Sequence, residues 1–227
     1  MSETLPQLNY DDMLKAGMHF GRKKTVFNPN MGKYVFVIKE GISIIDLLKT
    51  QVEVSKTAEY LKKIIGDGGS VLFVGLTKQS IDSIKDLADA LKMPYVINRW
   101  LGGTLTNFKI ISGRVKMMED MEKKQTSGEL DKYTKKERLM FERELKKMQE
   151  RFGGLRKLTK LPDVVFVSSL KESALPVREA IITKVPIVAI ANTDSNPNQV
   201  QYVIPANDRS KKSVDLIINV LKTELVK

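Results

Sequence analysis

The stretch Val71-Leu72-Phe73-Val74 decides the fold class of this chain, because it is apolar at every position. A strand with one solvated face alternates apolar and polar residues, whereas a strand buried on both faces is apolar throughout. Segments with the apolar spacing of helices lie on both sides of it, at residues 47–65 and 78–91. The pattern therefore predicts an α/β fold, with a mainly parallel sheet covered by helices on both faces.

The alternation of strand and helix continues along most of the chain. Predicted strands cover residues 34–38, 43–45, 71–74, 95–97, 164–167, 187–190 and 202–204, and predicted helices cover residues 47–65, 78–91, 174–183 and 211–226. The first two strands pair across the turn Glu40-Gly41. The predicted core positions of the first helix are Leu48, Val52, Ala58, Leu61 and Ile65.

Two long polar helical segments interrupt this order between residues 97 and 164. The first covers about residues 105–124, and the second opens with the capping-box pattern Thr134-Lys135-Lys136-Glu137 after a break at Ser127-Gly128. The first has one apolar stripe, formed by Ile111, Val115, Met118 and Met121. The second has an apolar seam with the heptad spacing of a coiled coil, formed by Phe141, Leu145, Met148, Phe152 and Leu155. We predict a protruding helical hairpin at residues 105–155, inserted into an α/β body formed by residues 1–104 and 156–227.

The charge balance favours a polyanionic partner. The 227 residues include 38 Lys and Arg against 27 Asp and Glu, a net charge of +11. Nucleic acid is the first candidate and an anionic membrane surface the second, while a basic surface without either role stays open. Residues 109–160 alone hold 16 Lys and Arg against 9 Asp and Glu, so this part of the chain carries +7 of the total charge of +11.

Composition also limits the compartment. No apolar run approaches the length needed to cross a membrane, and residues 1–12 lack the apolar core of a signal peptide. The absence of cysteine excludes disulfides and thiolate chemistry, as is common in reducing compartments. We therefore expect a soluble intracellular protein without a membrane partner.

The stretch from Arg99 to Lys109 holds the only Trp of the chain and the pair Gly102-Gly103. The glycines indicate a turn with unusual dihedrals or a close approach by another chain. Either Thr104 or Thr106 is expected to cap the helix that follows. Two interpretations of Trp100 stay open: a core wedge, or a ring that stacks on RNA.

Cations mixed with amides and aromatic rings are typical of surfaces that bind structured RNA. A solvated helix face with internal pairs such as Glu142–Lys146, and an N-terminal loop whose Phe20 packs inward, are the alternatives. The predicted RNA contacts are Arg22, Lys23, Lys24, Asn28 and Lys33 near the N-terminus, Arg99, Trp100, Thr104, Asn107 and Lys109 at the hairpin root, and Arg114, Lys116, Lys135, Lys136 and Arg138 on the hairpin.

Motifs of catalysis are missing. The segment Gly75-Leu76-Thr77-Lys78-Gln79-Ser80 lacks the second glycine of a phosphate-binding loop, and no dinucleotide fingerprint or nucleophile elbow occurs. The single histidine, His19, has no Cys or second His with which to share a metal, so a structural role is expected. We expect no enzyme activity, metal or cofactor. The rival interpretation is a small-molecule or phosphoryl-acceptor site at the carboxyl ends of the strands, formed by Asp46, Thr77, Lys78, Ser168, Asp194 and Asn196.

The stretch from Pro94 to Lys109 resembles the signature of the bacterial ribosomal protein S2 family. Matching blocks follow in family order: HFG at 19–21, FNPNM at 27–31, GISIIDL at 41–47, LFVG at 72–75, LPD at 161–163, PIVAI at 186–190 and YVIPAND at 202–208. Two departures are Arg22, where many members have His, and Phe27, where Trp is common.

The resemblance implies a flavodoxin-like three-layer α/β/α fold with the inserted hairpin. It also implies a structural, rRNA-binding constituent of the small ribosomal subunit that takes part in translation and has no small-molecule substrate. Neighbouring small-subunit proteins, including the large mRNA-binding ribosomal protein, are the implied protein partners. A cytoplasmic ribosome is expected, with an organellar one left open.

Overall fold

The computed structural model describes residues 8–127 and 129–226. Its strands are β1 (Phe20–Lys23), β2 (Val35–Lys39), β3 (Ile42–Ile45), β4 (Val71–Val74), β5 (Tyr95–Val96), β6 (Val164–Val167), β7 (Ile187–Ala191) and β8 (Tyr202–Pro205). Its helices are α1 (Tyr10–Lys15), α2 (Leu47–Gly66), α3 (Ile81–Ala90), α4 (Phe108–Thr126), α5 (Lys135–Phe152), α6 (Ala174–Ile182) and α7 (Lys211–Val226). Short 3-10 turns lie between several of these elements.

A five-stranded parallel sheet forms the centre of the molecule, in the order β5-β4-β6-β7-β8. Every residue of β4, β6 and β7 is buried, which confirms the prediction of strands enclosed on both faces. Successive side chains of a strand point to opposite faces of its sheet. Leu72 and Val74 accordingly join one hydrophobic cluster, and Val71 and Phe73 join the other.

The two clusters define the layers. Helices α2, α3 and α7 cover one face of the sheet, while α6 and the root of the α4/α5 pair cover the other. The predicted α/β fold with helices on both faces is confirmed. Within the described ranges, no helix combines the length and the apolar character that a membrane crossing requires.

A small antiparallel sheet, β1-β3-β2, lies beside the large one. The predicted pairing of β2 with β3 is confirmed, and both turn residues have positive φ, 50° for Glu40 and 75° for Gly41. Helix α1 and strand β1 were not predicted, because six and four residues are too few for apolar periodicity to identify.

The predicted buried face of α2 is partly wrong. Ala58 and Leu61 are buried, but Leu48 and Val52 are exposed. Small polar residues take their place on the buried face, and Thr50 donates its hydroxyl to the carbonyl oxygen of Pro205 at 2.6 Å. Because a buried hydroxyl with a partner costs little, apolar spacing alone misplaced this face.

Helix α3 begins at Ile81, three residues later than predicted. The hydroxyl groups of Thr77 and Ser80 lie 2.9 Å apart, and the Ser80 N–H donates to the carbonyl oxygen of Thr77 at 3.0 Å. This turn satisfies the polar groups that would otherwise belong to the first helical turn. The other predicted bounds agree to within one or two residues, apart from the start of α4.

Helices α4 and α5, which follow β5 and precede β6 in the chain, pack on each other, and we call this pair the hairpin. Its residues at positions 111, 115, 118, 121, 145, 148, 152 and 155 are buried in the cluster that also covers the sheet, while Phe141 is partly buried. The predicted capping box is present: Glu137 accepts from the Thr134 N–H at 2.9 Å, and Thr134 accepts from the Glu137 N–H at 3.4 Å. Ser127 caps α4, and Gly128 lies outside the described residues. The division into a body and a separate hairpin domain stays a prediction.

Candidate nucleic-acid interface

The segment that joins β5 to α4, residues 97–107, is built around one buried carboxylate, and we call it the root loop. Glu179 of α6 is only 4% exposed. Its Oε1 accepts from the indole Nε1–H of Trp100 at 3.0 Å and from the Gly103 N–H at 2.8 Å. Its Oε2 accepts from the N–H groups of Leu105 at 3.0 Å and Thr106 at 3.3 Å. A carboxylate 73–79 residues away in sequence thus fixes the loop.

The protonation of Glu179 follows from these contacts. Burial raises its pKa, but the donors from Trp100 and from the backbone of Leu105, Gly103 and Thr106 together outweigh burial, so the pKa is lowered overall. The carboxylate is therefore ionised at neutral pH. Sequence reasoning missed Glu179, although the single acidic residue in the mostly apolar segment from Ala174 to Ile182 was an available signal.

Trp100 lies inside the protein. Its side chain is 5% exposed and belongs to the cluster between the sheet and the hairpin. Of the two open interpretations, this position favours the core wedge. Thr104 is also buried and donates its hydroxyl to the carbonyl oxygen of Leu101 at 2.6 Å.

The expected helix cap is wrong, since neither Thr104 nor Thr106 caps α4. The helix begins at Phe108 after Asn107, without a side-chain cap, because the N–H groups of Leu105 and Thr106 are already bound to Glu179. The unusual dihedral expected of the glycine pair is confirmed at Gly103, whose φ is +91°.

Three of the predicted contacts at the hairpin root are exposed: Arg99 and Asn107 of the root loop, and Lys109 in the first turn of α4. The Asn98 side chain holds the loop to α5 by donating to the carbonyl oxygen of Glu150 at 2.9 Å. The part of the loop that is bound to Glu179 is thus internal, and the two cations stand at the surface.

The hairpin cations are exposed and mostly free of carboxylates. Arg114, Lys116, Lys135 and Lys136 are exposed, and no carboxylate of the described residues forms an ion pair with them. Arg138 donates its Nε–H to the carbonyl oxygen of Tyr133 at 3.1 Å. The intrahelical pair Glu142–Lys146 is likewise not formed within the described chain.

Arg22 is largely internal, with a side chain 16% exposed. Its guanidinium lies 3.2 Å from Asp208 Oδ1 and 3.5 Å from Asp194 Oδ2, at the carboxyl ends of the parallel strands. Asp208 also accepts from Asn192 at 3.1 Å and from Ser169 at 2.7 Å. Arg22 therefore serves as a counter-ion within the protein rather than a free surface cation.

The other N-terminal residues divide between surface and interior. Lys23, Lys24 and Lys33 are exposed. The Lys33 Nζ lies 5.0 Å from the centre of the Tyr34 ring, within the range of a cation–π contact. The Asn28 side chain accepts from the Asn30 N–H at 3.0 Å and so caps a 3-10 turn.

Two aromatic side chains of this segment differ in position. Phe20 is exposed, which contradicts the expectation that it packs inward, because it lies on the outer face of the small sheet opposite Ile44. The His19 ring packs 4.0 Å from it, and burial lowers the pKa of His19. The His19 Nδ1 atom has no hydrogen-bond partner, so the ring acts as a neutral packing group at pH 7.

Several side chains of the rival site at the strand ends are bound within the chain itself, while Thr77 and Lys78 line one cavity and Asp194 and Asn196 line another. Asp46 caps α2 by accepting from the Leu48 N–H at 3.1 Å, and Asp194 pairs with Arg22. The hydroxyl groups of Ser168 and Ser80 are joined at 2.8 Å. In the part of the chain that the structure describes, no group of three His, Cys, Asp or Glu side chains could hold a metal ion.

Comparison with known proteins gives one consistent family. The model of the family described as "Ribosomal protein S2" matches residues 13–227. The small ribosomal subunit protein uS2 of Fusobacterium nucleatum is 42% identical over 215 residues, which are 94% of this chain and 87% of that protein. The uS2 proteins of Thermus thermophilus and Parabacteroides distasonis are each 40% identical, covering 94% and 96% of this chain and 83% and 78% of their own lengths.

Proposed function

Because the chain belongs to the ribosomal protein S2 family, a family of non-enzymatic structural proteins of the small ribosomal subunit, we propose that it binds rRNA through the exposed cations of its hairpin and root loop. The predicted contacts that keep this role are Lys23, Lys24, Lys33, Arg99, Asn107, Lys109, Arg114, Lys116, Lys135, Lys136 and Arg138. Arg22, Asn28, Trp100 and Thr104 are assigned to the fold of the interface instead.

The observation that carries the proposal is that Arg114, Lys116, Lys135 and Lys136 are exposed and form no ion pair with a carboxylate of the described residues. A charge that pairs within its own protein gains little from a phosphate, whereas a free surface cation releases the condensed counterions of RNA when it binds. Phosphate contacts supply affinity and orientation without reading sequence. The hairpin cations therefore contribute affinity for rRNA, and the fold of the protein determines where on its surface the rRNA binds.

Neighbouring small-subunit proteins, among them the large mRNA-binding ribosomal protein, are proposed to dock on the α/β body. The outer face of the small sheet supports this part of the proposal. Phe20, Val37 and Ile42 are exposed there, and paired positions place the first two in one row across the sheet with Ile44 between them. Exposed apolar faces commonly mark protein contacts. The proposed location is the cytoplasmic ribosome.

Sedimentation of cell extract through sucrose gradients tests the proposal. The protein should travel with the small subunit at low salt and be partly released at high salt, because counterion release weakens phosphate contacts as the salt concentration rises. A chain that stays at the top of the gradient in both conditions contradicts it.

A further inference from the structure

One side of the hairpin carries a groove that is lined by both methionines and cations. The groove has a volume of ≈ 640 Å³ and lies between the two helices. Its floor includes Met117 of α4 and Met140 of α5, which are 41% and 61% exposed, beside the buried Met148 and Phe152. A thioether is polarizable and packs well against flat rings.

Cations line the rim of this groove. They are Arg114 from α4 and Arg143, Lys147 and Arg151 from α5, against the single carboxylate Glu144. Within the described residues none of the four forms an ion pair. The three on α5 follow at four-residue intervals, which places them about 6 Å apart along the helix axis. Such a row matches the repeat of phosphates along one strand of RNA.

Elsewhere on the hairpin one carboxylate is bound within the protein: Glu122 of α4 accepts from the Gln149 side chain at 2.6 Å and pairs with Arg156. Exposed cations such as Lys116, Lys135 and Lys136 also lie outside the groove. The groove is therefore distinguished by the combination of rim cations with an apolar floor.

We propose that this groove binds an unpaired nucleotide of the rRNA, with its base on the methionine floor and its flanking phosphates on the rim cations. The inference rests on the proposed function and adds that the RNA must be unpaired at the point of contact. In a continuous duplex every base is stacked and its flat face is covered, whereas a bulged nucleotide can turn its base outward.

An acidic protein helix fits the groove less well. An amphipathic helix in a groove needs apolar anchors at positions i, i+3, i+4 and i+7. The exposed apolar floor consists of Met117 and Met140, one from each helix, which is enough for one flat group but short for such a row of anchors. The spacing of the rim cations also favours a phosphate backbone.

Binding of the full-length protein to two RNA probes tests the inference. One probe is a fluorescein-labelled 20-base-pair RNA duplex, and the other is the same duplex with one unpaired adenosine. Fluorescence anisotropy at one fixed salt concentration should give about fivefold tighter binding of the bulged probe, the lower end of what base stacking on protein side chains supplies. Met140→Ala, a change at an exposed position, should remove this preference while leaving duplex binding nearly unchanged.

A matched pair of charge reversals locates the binding face. Lys147 lines the groove, whereas its neighbour Lys146, on the same helix and also exposed, does not. Lys147→Glu should weaken binding of both probes severalfold more than Lys146→Glu, although the two variants have the same net charge.

Equal affinity for the two probes, or a preference that survives Met140→Ala, would overturn the inference. So would equal effects of the two lysine variants. If the chain sediments with the small subunit but shows no preference, only this inference fails; if it does not sediment there, the proposed function fails as well. Methionine-dependent binding of an 18-residue Glu/Leu helical peptide, without a preference for the bulge, would assign the groove to a protein and also overturn the inference.

Discussion

At the scale of single residues, Glu179 determines the shape of the root loop. One carboxylate accepts hydrogen bonds from an indole and from three backbone N–H groups. Buried donors without partners are costly, so these four groups and the carboxylate depend on each other. The exposed cations at the hairpin root are held in place by a contact that is itself hidden from solvent.

Replacement of Glu179 by Ala should therefore destabilise the protein by about 3 kcal/mol or more, because it leaves several buried donors unpaired. Urea unfolding measures the change, with Glu172→Ala on the exposed segment before α6 as the control. A loss below about 1 kcal/mol would show that the loop satisfies its donors in another way.

The low pKa of Glu179 sets the sign of a pH effect. A carboxyl whose folded pKa lies below its unfolded value, here near 4.5, stabilises the fold above that value and loses this contribution as the pH falls through the folded pKa. The free energy of unfolding should fall more steeply with acid below about pH 4.5 for the wild type than for Glu179→Gln. Parallel curves would contradict the assignment.

Trp100 provides a further test at the scale of single residues. Trp100→Ala removes a buried ring and one donor to Glu179, and should cost about 3–5 kcal/mol in the free energy of unfolding. Trp100→Phe keeps most of the buried area and should cost less. If Trp100→Ala unfolds like the wild type but binds rRNA weakly, the ring contacts RNA and the core interpretation is wrong.

At the scale of elements, the junction of α5 with the sheet is tightly packed. A Cβ atom on Gly154 would overlap the carbonyl oxygen of Tyr95 and approach its ring carbon Cδ2 to 2.8 Å, whereas one on Gly153 would meet nothing within 4 Å. Strand β5 and the end of α5 can therefore approach only because Gly154 has no side chain. This contact holds the end of α5 against β5.

The two neighbouring glycines provide a matched test. Gly154→Ala should destabilise the protein by about 2–3 kcal/mol through overpacking against backbone, and Gly153→Ala should change stability by well under about 1 kcal/mol. Thermal unfolding of both variants measures the difference. Equal melting temperatures would mean that the junction can relax at little cost.

The sequence predicted those elements whose pattern repeats. The uniformly apolar pattern predicted strand β6 correctly, and the three- and four-residue spacing predicted the buried seam of the hairpin. The final helix α7 was also predicted with its correct bounds. The sequence did not predict contacts that a polar residue makes with a distant partner. Arg22 was predicted to contact RNA, and no pattern indicated that Asp208, 186 residues away, pairs with it. The predicted buried face of α2 was partly wrong for the same reason, because Thr50 is buried there with its hydroxyl bonded to the distant Pro205.

At the scale of the whole molecule, the net charge of +11 is not spread evenly. The cation Arg22 is paired with Asp194 and Asp208 at the strand ends, whereas several hairpin cations form no ion pair among the described residues. The fold thus separates two uses of positive charge, one that holds the N-terminal segment to the body and one that faces outward. Only the second is available to a polyanion.

The salt dependence of rRNA binding tests this separation most directly. The affinity of the protein for small-subunit rRNA is measured over a range of salt concentrations, for the wild type and for a variant in which Arg114, Lys116, Lys135 and Lys136 are all replaced by Gln. If these four side chains bind phosphates, the slope of log K against log salt should become shallower by about 3, since each phosphate contact contributes roughly 0.7–0.9. An unchanged slope would show that these four hairpin cations do not bind rRNA phosphates.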